Sequence, residues 1–226
     1  IGDAVSRALE PLRSFGALMA AALGIGGAKE LQDRADAFTR LTNSLKTATD
    51  SEEAYQAALK AVAEIAQRTN SDIETTAQLY GKINKNAAAL GLSQQQVAQL
   101  TESVAKGMQL SGSATEAANG AILQLTQAFA SGALRGEEFN SVIEASPELM
   151  AYIAKGIGVT VGELRALAEQ GALTSRTVTT ALLDQGAAID QAYGKVTQTV
   201  AQAFTNLNNQ LILYVGQAAQ ASGITA

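Results

Sequence analysis

Four carboxylates crowd one short stretch of the chain: Glu137, Glu138, Glu144 and Glu148. Paired carboxylates are the equipment of a glycosidase, where one protonates the leaving oxygen and the other attacks or activates water. That chemistry also needs a cleft that binds sugar, usually with aromatic platforms. Only Phe139 and Tyr152 stand nearby, and the chain has no Trp. Glu137 and Glu138 fall where a helix starts, and the helix dipole favours negative charge there. A structural role explains them, and no catalytic residue is predicted. Gly156, Gly158 and Gly162 do not make a phosphate loop, because they follow a helix rather than a strand and lack its Lys. The chain has no His and no Cys, which removes imidazole bases, thiol nucleophiles, disulfides and structural zinc. Ser and Thr are plentiful but have no activating base. The remaining carboxylates lack the spacing of a metal loop, so neither a metal nor a cofactor is predicted.

The elements that carry these residues are set by composition and punctuation. The chain has 226 residues, 47% of them hydrophobic and only 4% aromatic. A core must be built from Ala, Leu, Val and Ile, which lets helices approach closely but buries little area per residue. Modest stability of a lone copy and an incentive to oligomerise follow. The net charge is −5 with no Lys/Arg block, which disfavours specific nucleic-acid binding through counterion release. The chain opens on Ile1 rather than Met and reads as a fragment of a longer protein.

Stop and start signals divide the sequence into short helices. Leu31, Ala35, Phe38, Leu41 and Leu45 form one apolar stripe at helical spacing, and Tyr55, Leu59, Val62 and Ile65 form the next. Asp50 with Glu53 opens that second helix. Capping boxes are predicted at Ser71 with Glu74, Ser93 with Gln96, Ser113 with Glu116, and Thr160 with Glu163. Ser146 caps a helix with Pro147 at its first position, and Thr174 caps a later one. Gly91, Gly112, Gly156, Gly158 and Gly171 supply stops. No strand pattern appears. The predicted class is all-α: a compact array of short antiparallel helical hairpins followed by a long C-terminal amphipathic helix.

That last helix occupies residues 191–226 and leads onward. Tyr193, Val200, Leu207 and Tyr214 recur every seven residues, and Val196, Phe204 and Leu211 broaden the stripe. Its polar face is uncharged: Gln198, Gln202, Asn206, Asn208, Asn209 and Gln210. Two uses are open, packing onto the preceding hairpins or pairing between copies. Tyr193, Val200, Phe204, Leu207, Leu211 and Tyr214 are the candidate self-association residues. At the other end, residues 1–27 form a hydrophobic N-terminal helical segment. Residues 14–28 carry no charge but are too short and glycine-rich for a confident membrane span. Phe15, Leu18, Met19, Leu23 and Ile25 are its candidates for helix packing or membrane insertion.

Three words of the middle region carry a family resemblance. They are AQLYGKINKNAAALGLS at Ala77–Ser93, LTQAFASGALRGEEFNSVIEASPEL at Leu125–Leu149, and GVTVGELRALAEQGALT at Gly158–Thr174. They resemble the tape measure domain of tailed-bacteriophage and prophage tail proteins. The likeness begins weakly near Leu31, runs in order to about Val215, and places a tape measure helical domain at residues 28–190. It implies a non-enzymatic scaffold that lies in the lumen of the phage tail, in the virion, after assembly in the host cytoplasm. It would govern tail assembly and length and assist genome ejection. The implied partners are further copies, tail tube and tail tip proteins, a tail assembly chaperone and the host membrane; the stripe and uncharged face of the last helix predict a parallel bundle of copies, three in the assembled tail. Two other classes compete: a membrane-active helical pore-former using residues 14–28 and the C-terminal helix, and a generic oligomeric helical adaptor.

Overall fold

The computed structural model describes residues 28–112 and 114–221. The candidates Phe15, Leu18, Met19, Leu23 and Ile25, and the Ser113 cap, lie outside them. The described residues form twelve helices and no strand. These are α1 (Ala28–Lys46), α2 (Glu52–Thr69), α3 (Ile73–Lys85), α4 (Ala87–Leu90), α5 (Gln94–Leu110) and α6 (Thr115–Ser131). They continue as α7 (Gly136–Ala145), α8 (Pro147–Ile157), α9 (Val161–Glu169), α10 (Ser175–Asp184), α11 (Gly186–Tyr193) and α12 (Val200–Ala221). None is long and apolar enough to cross a membrane.

Side chains within three residues of each start fix most of the boundaries. Ser93 and Gln96 form a complete capping box on α5, and Thr160 and Glu163 form one on α9. Ser146 accepts from Leu149 N with Pro147 at the first helical position, and Thr174 accepts from Thr177 N. Two caps are displaced by one residue from the sequence reading. Ser51 rather than Asp50 caps α2, accepting from Ala54 N. Asp72 rather than Ser71 caps α3, accepting from Thr75 N. In each, the neighbour lies extended beside the first turn and its oxygen reaches the free N–H. Gly158 ends α8 with φ +83, a conformation only glycine adopts freely. Gly156 is not a stop. It lies inside α8 where a Cβ would meet the Ala181 backbone oxygen at 2.6 Å, so it lets α8 and α10 touch.

One apolar core runs from Ala37 to Ile212 and includes Phe38, Leu41, Leu45, Val62, Phe139, Leu149 and Leu164. Each large side chain there contributes roughly 1.5–3 kcal/mol by leaving water. The main pairings are α1 with α12, α1 with α3, α3 with α6, α6 with α7, α8 with α10, and α5 with α11. Several of these join helices distant in sequence. A repeated Gly-Ala-Leu word ties two loops together. Leu134 N donates to Leu173 O at 2.9 Å and Ser175 N to Gly132 O at 2.8 Å, making an isolated antiparallel bridge at Ala133 and Thr174. That repeat, at Gly132 and Gly171, is a sequence signal for contact that the caps do not supply.

Candidate self-association face

The acidic stretch assembles no catalytic pair. Glu137 and Glu138 stand in the first turn of α7. Glu137, Glu144 and Glu148 are exposed and Glu138 is half-buried. The cleft beside Glu144 is lined otherwise by Ala114, Ala117, Gly120, Ala121, Ser141 and Ala145, none of which is an acid, a base or an aromatic platform. Among the described residues no cluster of acidic side chains is arranged to hold a metal ion.

The other candidate face lies on α12, which is shorter than the expected continuous helix over residues 191–226. Tyr193 does not share it. It ends α11, and residues 194–199 run without helix before α12 opens at Val200. Thr199 starts α12 with a capping pair: Gln202 N donates to Thr199 Oγ1 at 3.2 Å, and Thr199 N to Gln202 Oε1 at 2.8 Å. The spacing Thr-x-x-Gln is the signal that marks this start in the sequence.

Two stripes run along α12 on opposite sides, because 3.6 residues make a turn. Gln202, Asn206 and Asn209 lie on one side, and Val200, Phe204, Leu207, Leu211 and Tyr214 on the other. The amide side faces the domain. Asn209, buried, accepts from Ile73 N at 3.1 Å and donates to Ser71 O at 2.7 Å. It thus satisfies backbone groups at the start of α3 that would otherwise be orphaned. Gln202 donates to Gln109 at 2.8 Å. Asn206 and Gln198 both donate to Asn70 Oδ1, at 2.6 and 2.9 Å, and Asn70 Nδ2 donates to the Tyr193 hydroxyl at 2.9 Å. Asn208 is half-buried and Gln210 exposed. Toward its end α12 turns apolar residues inward: Ile212, Val215, Gly216 and Ala219 are buried, and Gly216 rests on the Phe38 ring.

The outward stripe is only partly open. Val200 is 75% exposed, Phe204 61% and Tyr214 42%. Leu207 is half-buried, and Leu211 is 6% exposed. The structure thus groups Val200, Phe204 and Tyr214 on an accessible face and withdraws Tyr193 and Leu211 from it. From Val200 to Ala221 there is no Asp, Glu, Lys or Arg.

Beside this face, charges lock α2, α5 and α11 together. Arg68 meets Glu102 at 2.8 Å, and Lys106 meets Glu102 at 2.8 Å and Asp190 at 2.7 Å. Lys106 also lies 5.9 Å from the Tyr193 ring centre. Burial would raise the Glu102 carboxyl, but hydrogen bonds from Arg68 and Lys106 outweigh it and hold the group below its ordinary value. Burial would lower Lys106, but Asp190 and Glu102 outweigh it and hold the ammonium above its ordinary value. Every member is partnered, so the cluster is a structural tie.

The family model described as tape measure protein matches residues 29–220. No curated protein and no solved structure matches the chain. The match covers every helix from the second residue of α1 to the last turn of α12, and with it the α12 face. The chain therefore belongs to the tape measure protein family, a structural family of the phage tail rather than a catalytic one.

Proposed function

We propose that this chain serves as a non-enzymatic scaffold of a phage tail tape measure protein, acting in the tail lumen to govern assembly and length and to assist genome delivery. The single observation that carries this reading is the family match over residues 29–220. Host cytoplasm is the place of assembly. Tail tube, tail tip and chaperone proteins are the partners, and the host membrane is met at delivery through residues 14–28. The test is particle morphology. Adding helical residues to the intact gene should lengthen tails by about 1.5 Å per residue, measured by electron microscopy, and unchanged tails would reject the length-setting role. Purified chain should not release muropeptides from peptidoglycan. Release that vanished with Glu138→Gln would overturn the scaffold reading.

Self-association through α12 is part of this proposal, with three copies in the assembled tail. The exposed Val200, Phe204 and Tyr214 support it, as does a helix with no charge to repel its copy. Val200→Glu with Phe204→Glu should abolish association by light scattering, since both side chains are open and the fold does not depend on them. Leu211→Glu is unsuitable because that side chain is covered. A double variant that associates as the parent does would remove α12 as the surface.

A further inference from the structure

Two features disagree with a permanently docked α12. Asn70 ends α2 in the left-handed conformation, at φ +53, a common helix ending for Asn that sets its side chain beside α12. Its side chain gathers Tyr193, Gln198 and Asn206, so one residue clasps the end of α11, the connector and the first half of α12. Within that clasp the Oδ1 of Asn206 is buried without a hydrogen-bond partner, a cost that docking imposes and undocking removes. The apolar stripe meanwhile faces outward, with Val200 75% and Phe204 61% exposed.

We infer that Asn70 is a latch: it holds α12 against the domain in a releasable position, and its opening delivers α12 to other copies of the chain. The proposal rests on the scaffold reading above for the identity of the partner alone. The first half of α12 is attached through side-chain amides, each of which water partly replaces on release, so each adds only a modest net hold. The apolar anchors Ile212, Val215 and Ala219 lie in the second half. Residues 194–199 are exposed and outside any helix, so they supply the hinge. A freed α12 offers Ile212 and Val215 as well as Leu207 and Leu211, a wider apolar surface than the docked helix shows. The absence of any Asp, Glu, Lys or Arg on α12 fits it to a second copy, since a charged partner would find no counter-charge.

Hydrogen exchange on the 226-residue chain tests the latch. Peptides from α12 should exchange faster than those from α5. Asn70→Gly keeps the left-handed backbone and removes the amide, and it should speed α12 exchange about tenfold, the loss of one or two amide hydrogen bonds, while α5 is unchanged. Val215→Ala, which trims an apolar anchor of the second half, should do the same from the other end and serves if the first variant fails to fold. If α12 and α5 exchange together in the parent and in every folded variant, α12 opens only with the whole domain and the latch is refuted. Light scattering on the same samples separates the two readings. Faster exchange without association keeps the latch and rejects self-association. Association with unaltered exchange keeps the docked face and rejects the latch.

Discussion

The α8–α10 region and α12 bury opposite kinds of side chain. Between Pro147 and Asp184 each helix turns its apolar side inward: Leu149, Ile153, Leu164, Val178 and Leu182 are all buried. The first half of α12 turns amides inward and leaves Val200 and Phe204 in water. The difference lies in what each meets. The α8–α10 helices meet other apolar helix faces, whereas α12 meets the α2–α3 turn, where Ser71 O and Ile73 N need partners. An apolar residue there would leave two backbone groups unsatisfied at about 1–3 kcal/mol each. Burial follows the needs of the partner surface rather than the hydrophobicity of the segment alone.

The hardest blow should fall on the α8–α10 contact. Gly156→Ala sets a Cβ against backbone at Ala181, which cannot rotate away, and should cost about 3 kcal/mol in chemical denaturation. A near-neutral result would mean the two helices separate easily and the contrast with α12 is false. Next comes the inverted helix. Asn209→Ala should cost about 2 kcal/mol by stranding two buried backbone groups, while Phe204→Ala should stay within about 0.5 kcal/mol. The reverse order would show that α12 docks by its apolar side in solution.

Ser146→Ala should cost about 2 kcal/mol. Its buried hydroxyl accepts from Leu149 N and also donates to Gly107 O at 2.8 Å, so it is cap and bridge at once. Pro147→Ala should be nearly neutral, and a larger effect from the proline would misplace the helix start. The smallest effect is electrostatic. Glu102 titrates below its ordinary value of 4.5 when folded, so its stabilisation is present above that value and lost as pH falls through the lower folded one. Lys106 titrates above 10.5, so its share is present below that value and lost as pH rises through the higher folded one. Glu102→Gln should flatten the acid side of a thermal-stability profile. An unchanged profile would make the tie among α2, α5 and α11 energetically silent.

What the sequence discloses is whatever depends on near neighbours. Ser93, Ser146, Thr160 and Thr174 announce their helices because cap and N–H lie three residues apart. Asp50 and Ser71 mislead by one position, since two polar residues in a row leave the choice to the backbone. Thr199 with Gln202 carries the same signal inside what reads as one continuous stripe. The role of Gly156 is hidden because its partner, Ala181, is far along the chain. The orientation of α12 is hidden for the same reason: an amide face reads alike whether water or a turn receives it. The candidate face was legible as a stripe, and the exposure of its members was not.

The pairing of α1 with α12 closes the first and last described helices on each other, with Gly216 seated against Phe38. Tension drawn along the polypeptide from both sides therefore reaches this pair before the inner helices. With half of its grip made of amides, α12 would, if the latch proposed above holds, act as a mechanical fuse: it would yield first and lengthen the chain while the remaining bundle stays intact.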